Sequence, residues 1–259
     1  MNQPLSYVHP AAKIAKTVVI EPFTTIGKDV IIGEGTWIGS NVTIMEGARI
    51  GKNVKIFPGA VVSAIPQDLK FGGEDTVLEV GDNTVIRECV TLNRGTDATN
   101  KTVIGKNCLI MAYTHVAHDC IIGNNVVIAN SAAIAGHAEI GDQVIIGGNC
   151  GVQQFTRIGK MAMIGGMTGV SRDVIPYGVS LGNRNYLDGI NIIGLRRKKV
   201  SNKDIICLSE AYKEIFKTES LNENLSKLNG NFKENTFVQE IINFINKDKK
   251  RAICTPFSK

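Results

Sequence analysis

The chain has 259 residues, enough for one large repeat domain with a small appendage, and a modest formal net charge of +5. No run is apolar for the length of a membrane span, and Met1-Asn2-Gln3-Pro4 lacks the basic, apolar and small-residue order of a secretory signal. A cytoplasmic protein without stable membrane insertion is expected. The six cysteines form no C-x-x-C pair, so neither a zinc knuckle nor a disulfide scaffold organises the fold.

From Val8 onward the chain obeys a period of six. Between residues 8 and 170 there are 28 positions in this phase, and 25 of them carry Ile, Val or Leu; the exceptions are Asp68, Glu74 and Ala98. That period fits neither an amphipathic helix nor an alternating strand; it marks a repeat architecture. Four places after each aliphatic stands a small residue, as at Thr24, Val30, Thr36 and Ala48. Gly often follows the aliphatic directly, as in Ile26-Gly27 and Ile140-Gly141. Each hexad therefore predicts one short strand and one turn. The aliphatic and the small residue point inward, and Gly or Asn takes the corner where positive φ is needed. Cys108, Cys120 and Cys150 occupy the small inward slot and are expected to be core filler.

Two stretches, near 63–79 and 93–103, break the hexad rule without losing its phase, and both are expected to project from the corners of the repeat as loops. The pattern stops after Pro176, and Gly182-Asn183-Arg184-Asn185 has turn composition. From Ser201 the spacing becomes helical through Ile205, Leu208, Tyr212 and Ile215, with Ser201 as N-cap and Asp204 three residues on. A last helix is predicted over Thr236 to Asn246. The expected division is residues 1–185 as solenoid and 186–259 as a small α-helical domain that caps its open end. Basic residues gather in Arg196-Arg197-Lys198-Lys199 and between Lys247 and Arg251, which would suit an anionic ligand or an acidic partner. Without aromatic and basic interleaving, no nucleic-acid partner is expected.

Such a chain resembles the hexapeptide-repeat proteins. The resemblance implies an all-β solenoid, a left-handed parallel β-helix with three hexads per coil. The handedness rests on it alone, because the ordinary rule for parallel crossovers gives the right-handed form. It also implies a homotrimer; physics by itself implies only a closed oligomer.

The four histidines are His9, His115, His118 and His137. A histidine at a solenoid corner is most often surface decoration, but three of the four fall within two coils. With 18 residues per coil, His118 stacks under Gly136, and Gly136 under Gln154. A histidine base beside an exposed Gly N–H suits acyl transfer: the imidazole takes the proton of an attacking hydroxyl and the N–H stabilises the oxyanion. Asp119 could orient the ring. Adjacent residues on a strand point opposite ways, so this contact requires a turn or a neighbouring chain. Three histidines could also hold zinc. The H-x2-H then H-x18-H spacing, however, does not look like the hexapeptide-type carbonic anhydrases, and no metal is expected.

The motifs Gln67-Asp68-Leu69-Lys70-Phe71-Gly72-Gly73-Glu74, Ile86-Arg87-Glu88, Asn93-Arg94-Gly95-Thr96, His115-Val116-Ala117-His118-Asp119-Cys120, Ala135-Gly136-His137, Gln154-Phe155 and Gly189-Ile190-Asn191 through Arg197 carry a closer likeness. Over nearly its whole length the chain resembles the UDP-N-acetylglucosamine O-acyltransferase family, which begins lipid A synthesis. The resemblance implies His118 as general base on the sugar 3-hydroxyl, Asp119 as its support and Gly136 as oxyanion donor. His115, His137 and Gln154 would line the sugar site. Asp68 and Lys70 would reach the nucleotide sugar across a subunit boundary, and Asn191 and Arg197 would touch its uridine-diphosphate part. Gly166 matches a position that gates acyl-chain length, and a glycine there implies a longer chain. The donor would be a (3R)-3-hydroxyacyl chain on acyl carrier protein, an acidic partner suited to the basic runs, with no cofactor beyond that carrier's phosphopantetheine.

Four positions depart from the family pattern. Gln153 and Asn93 replace histidines, Ile193 an acidic residue, and Lys198 an arginine, which keeps the charge but loses the bidentate fork. These departures leave open a 3-amino UDP-sugar as acceptor. A coenzyme-A-dependent sugar-nucleotide acyltransferase and a purely structural solenoid are the remaining alternatives.

Overall fold

The computed structural model describes residues 5–217, 220–248 and 251–257. Met1-Asn2-Gln3-Pro4, and Lys249-Lys250 of the second basic run, lie outside the described residues. Strands, most of them two residues long, recur from Tyr7–Val8 to Gly169–Val170. They assemble into three sheets of nine, eight and ten strands, one on each face of a prism. The first face begins at Tyr7–Val8, the second at Lys13–Ile14 and the third at Val19–Ile20.

Stacking follows the hexad phase. Ile26 pairs with Ile44, and Val116 with Ile134, one 18-residue coil apart. Across the first loop Val62 pairs with Leu92, and across the second Ile86 pairs with Ile110. The loops therefore insert two hexads and one hexad, whole units that leave the inside-outside phase intact. Their irregular parts, 65–76 and 94–100, are narrower than the sequence suggests, because Val61–Ala64, Val77–Val80, Thr91–Asn93 and Lys101–Ile104 are strands. Asp68, Glu74 and Ala98, the out-of-pattern residues, all fall inside these loops.

The aliphatic columns are dry: Ile26, Ile38, Ile86 and Ile134 are fully buried, as are Val42, Val54 and Ala60 from the small slot. Polar occupants of that slot hydrogen-bond to the neighbouring turn. Thr24 Oγ1 donates to Gly39 O at 2.9 Å, and Cys120 Sγ to Ala135 O at 3.2 Å. Burial pushes the Cys120 thiol up to about 12, which suits inert packing.

One expectation about glycine needs correcting. Asn41, Asn53, Asn107 and Asn125 do take the left-handed corner, at φ between 54° and 57°. The glycines directly after the aliphatic do not. They are required because the coils touch there: a Cβ on Gly33 would stand 2.7 Å from the Gly51 carbonyl carbon.

The solenoid also extends further than its repeat. The turn at 182–185 joins Gly178–Leu181 to Tyr186–Ile190 in an antiparallel hairpin that ends the third face. The sheet thus runs to Ile190 rather than stopping at 185, because a hairpin covers the open end after the hexad period has ceased. Five helices follow among the described residues: α1 (Ile192–Arg197), α2 (Asn202–Ile215), α3 (Leu221–Lys227), α4 (Gly230–Glu234) and α5 (Thr236–Lys247). Ser201 caps α2 by accepting from Asp204 N–H at 3.1 Å. α5 buries Val238, Ile241 and Ile245.

A buried arginine ties the helices to the prism. Arg157 donates to Asp173 Oδ2 at 2.7 Å and to the Phe244 and Asp248 carbonyls at 3.2 Å each. The segment after α5 then returns to the solenoid, bridging Asp173 with Ile253 and Leu187 with Pro256.

Candidate active site

The strand His115–Val116 leaves the first face and turns the corner through Ala117, His118 and Asp119. Asp119 adopts φ 59°, and this left-handed step swings its carboxylate back beside the preceding ring. The corner supplies the turn that a contact between adjacent residues requires. His118 Nδ1 lies 2.7 Å from Asp119 Oδ2. An ionised carboxylate only accepts, so Nδ1 carries the hydrogen, and Nε2 of the neutral ring is left with its lone pair outward.

Asp119 is buried, and its acceptor capacity is filled. Thr96 donates through its N–H at 3.0 Å and its hydroxyl at 2.7 Å, and the Thr99 hydroxyl also donates to it. Burial alone would raise this carboxyl. The hydrogen bonds from Thr99, His118 and Thr96 outweigh burial and bring it down to about 2, so it is a carboxylate at any working pH.

One coil above, Gly136 stands directly over the His118 ring. A Cβ there would be 2.7 Å from Cε1 and 2.8 Å from Nε2. At the same turn position on another edge, the N–H groups of Lys52, Lys106 and Asn124 are taken by side chains of Asp82, Asn124 and Asp142. Among the described residues no acceptor reaches the Gly136 N–H. It is a free donor beside the His118 ring.

His137, at φ 60°, presents its ring edge-on to His118 at 5.2 Å and stacks on Phe155 at 4.4 Å. Arg251, from the returning C-terminal segment, lies over the other side of the column, 5.7 Å from the Phe155 ring. Burial first, and then the neighbouring His118, lower His115; burial also lowers His137, against the opposing pull of Asp119. His115 Nδ1 is 2.7 Å from Thr91 Oγ1.

Asp68 arrives from the first loop, its Oδ2 4.0 Å from His118 Nε2 of the same chain. The first loop thus lies over its own coil, with the Arg94 guanidinium 5.4 Å from the Phe71 ring centre. A cleft of about 850 Å³ opens at His118. His115, Gly136, Gln153 and Gln154 line it, with Gln67 at one side. It runs along the first face over the small residues Ala133, Gly151 and Gly169 to Arg172 and Arg184.

Other expected site residues are not brought to this cleft. Lys70 is exposed on the first loop. Asn191 is the N-cap of α1, accepting from Gly194 N–H at 3.0 Å and donating to Met161 O at 2.9 Å, so its amide already has structural partners. Arg197 is exposed at the end of α1. Gly166 is exposed on the corner that follows the third face. Of the departing positions, Asn93 is buried and ties the first loop down through Ile65 O at 3.1 Å.

Sequence reasoning missed Thr96, Thr99 and Thr102 around Asp119, as well as Arg172 and Arg184. The threonines carried a signal, a spacing of three running from the second loop into the strand after it. His118, Asp119 and His137 present ligand atoms within 4.8 Å of one another. Asp119 already accepts four donors, and His118 Nδ1 is itself a donor to it.

A three-faced hexad solenoid with a His–Asp pair under a free Gly N–H defines a hexapeptide-repeat transferase. The family description "Bacterial transferase hexapeptide (six repeats)" matches residues 29–64 and 101–136, and "Udp N-acetylglucosamine O-acyltransferase; Domain 2" matches 173–254. The acyl-[acyl-carrier-protein]–UDP-N-acetylglucosamine O-acyltransferase of Methylobacterium radiotolerans is 55% identical over 74% of this chain and 71% of its own. The protein of that name from Chlorobaculum parvum is 56% identical over 71% of each chain. The solved UDP-N-acetylglucosamine acyltransferase of Bacteroides fragilis superposes with a TM-score of 0.94 at 43% identity, over 98% of this chain and 99% of that one. The chain belongs to the UDP-N-acetylglucosamine O-acyltransferase family. Its fold class is that family's left-handed parallel β-helix of hexapeptide repeats with a small C-terminal helical part.

Proposed function

We propose that this protein transfers a (3R)-3-hydroxyacyl chain from acyl carrier protein to the 3-hydroxyl of UDP-N-acetylglucosamine, the first step of lipid A biosynthesis. The observation that carries the mechanism is the pairing of His118 with Asp119 under the free N–H of Gly136. His118 Nε2 takes the proton as the sugar oxygen attacks the thioester carbonyl. The Gly136 N–H stabilises the oxyanion that forms, and the anionic Asp119 stabilises the imidazolium. Collapse of the intermediate forms the ester and expels the phosphopantetheine thiolate, which takes the proton back from His118. No resident cofactor or metal enters these steps.

Ala133, Gly151 and Gly169 present almost no side chain to the cleft, leaving a trough of about 10 Å over two inter-strand steps of about 4.8 Å. This trough suits an acyl chain. Gln154, His115, His137 and Asp68 surround the position of the sugar. Lys70, Asn191 and Arg197 belong to the nucleotide end in this reading, with Arg197 contributing charge from α1. Asn191 acts there by fixing the start of that helix rather than with a free amide. The exposed Arg196-Arg197-Lys198-Lys199 run is the dock for the acidic carrier protein. A homotrimer, and the cytoplasm as working compartment, complete the proposal. Among the described residues no helix is long and apolar enough to cross a membrane.

The test is turnover of the pure protein with UDP-N-acetylglucosamine and a panel of 3-hydroxyacyl carrier proteins, beside His118→Ala. Product with a preferred chain length, falling by roughly a hundredfold or more in the variant, supports the reading. A His118→Ala protein as active as wild type, or product only with a 3-amino UDP-sugar or coenzyme-A donors, overturns it. Sedimentation of the same samples reads the trimer.

A further inference from the structure

We infer that the second loop, 94–100, is a positioning device for the catalytic pair: Thr96 and Thr99 clamp the Asp119 carboxylate in the orientation that aims the His118 ring. The inference rests on the reading of His118 as general base.

The register of the prism does not depend on this loop. It is a one-hexad insertion, and the register resumes after it, with Thr91 paired to His115 and Ile86 to Ile110. What the loop provides is three of the four hydrogen bonds that reach the Asp119 carboxylate; His118 supplies the other. The Thr102 hydroxyl, just beyond the loop, accepts the Asp119 N–H at 2.8 Å. The carboxylate is thus held from the insertion, 20 to 23 residues away in sequence, and the backbone from the strand that follows it.

The clamp is itself stiff. Gly95 donates to Val77 O at 3.1 Å and accepts from Thr76 Oγ1 at 2.6 Å, and Asn100 N–H donates to Thr96 O at 2.7 Å. Gly95 packs so tightly that a Cβ on it would lie 2.3 Å from Lys101 N. The Thr99 hydroxyl has a single proton and two acceptors in reach, Asp119 Oδ1 and the Lys101 carbonyl at 3.0 Å. The carboxylate is charged and nearer, so it takes the proton. Other charged or titratable groups face the pair without holding it. His137 Nε2 stands 3.8 Å from Asp119 and Asp68 stands 4.0 Å from His118, both beyond hydrogen-bond range, while Glu139, Asp248 and Arg251 line the adjoining cleft.

A ring whose carboxylate partner can pivot spends less time aligned for proton transfer, and substrate contacts are untouched. Thr99→Val and Thr96→Val, assayed with UDP-N-acetylglucosamine and acyl carrier protein donor, should each lower kcat by about tenfold with KM unchanged, below the roughly hundredfold cost of a full ångström of misplacement. Thr99→Ser, which keeps the hydroxyl, should restore turnover. In an Asp119→Ala background, Thr99→Val should cost nothing further, because the group it positions is gone. Thr99→Ala serves if the valine variant does not fold, judged by circular dichroism and melting. Wild-type kcat in folded Thr96→Val and Thr99→Val proteins overturns the inference, as does an equal loss from Thr99→Val with and without Asp119. If His118→Ala and Asp119→Ala are themselves fully active, the base assignment fails instead.

Discussion

Replacing Gly136 by alanine sets a methyl carbon 2.7 Å from Cε1 and 2.8 Å from Nε2 of His118. Ordinary contact begins near 3.4 Å, so the ring must retreat by about 0.7 Å or the corner must open by as much. Neither movement is free. The ring is bonded to Asp119 at 2.7 Å and meets the edge of His137 at a centroid distance of 5.2 Å, and the backbone of Gly136 is fixed by Phe155 N–H on its carbonyl at 3.0 Å. A displacement of this size costs roughly tenfold to a hundredfold in turnover when the displaced group is the base. Overpacking costs about 1–3 kcal/mol in stability, which a hexad solenoid of this size should survive. Steady-state assays with UDP-N-acetylglucosamine and acyl carrier protein donor, beside a thermal melt, separate the two effects. The expected result is a folded protein with kcat reduced by that factor. A folded Gly136→Ala protein with wild-type kcat would refute the placement of His118 and the use of the Gly136 N–H together.

Four further outcomes follow from the structure. Asp119 is held at about 2 against its ordinary 3.8, so its contribution to stability is present above 3.8 and lost as pH falls through 2; the melting difference between wild type and Asp119→Asn should therefore shrink across that window. His115 and His137 are both lowered by burial from 6.5, which makes their folded forms favour the neutral ring, so stability should also begin to decline as pH drops below about 6.5 in urea titrations. Asp173→Ala strands the buried Arg157, which is tied to the helical part, and should destabilise by about 3–5 kcal/mol in chemical denaturation; an unchanged midpoint would argue that the ion pair is dispensable. At Gly166 an added Cβ meets only Gly148 O at 3.5 Å and Gly148 N at 4.0 Å, so Gly166→Met should fold normally and shift donor preference to shorter chains; an unshifted profile would remove Gly166 from the acyl path.

The prism was legible residue by residue. Ile26, Ile44 and Ile134 are buried because each sits at the same phase of the same local unit, so one rule read in a single hexad transfers to all. The whole-hexad length of the loops, the Ser201 cap and the apolar face of α5 were legible for the same reason: each is written in residues close together in the chain. The stacking of Gly136 over His118 was also accessible, since a fixed coil length converts sequence distance into spatial neighbourhood.

What resisted sequence reading depends on contacts with no such conversion. Glycine composition does not say whether a residue serves a dihedral or a close approach, and Gly33 and Gly105 proved to serve the approach of the next coil. The hairpin through Tyr186–Ile190 has no hexad phase, so nothing periodic announced that it belongs to the prism. Asn191 reads as a ligand by position, yet its amide is committed to Gly194 and Met161. The period of six marked a solenoid, and with the three hexads per coil that the family likeness implies it placed a histidine under a glycine, because burial repeated at a fixed phase carries over from one local unit to the next. How that histidine is aimed, through a left-handed corner at Asp119 and a threonine clamp from a loop 20 residues away, came from the folded chain, because an orientation is set by the groups that meet in space.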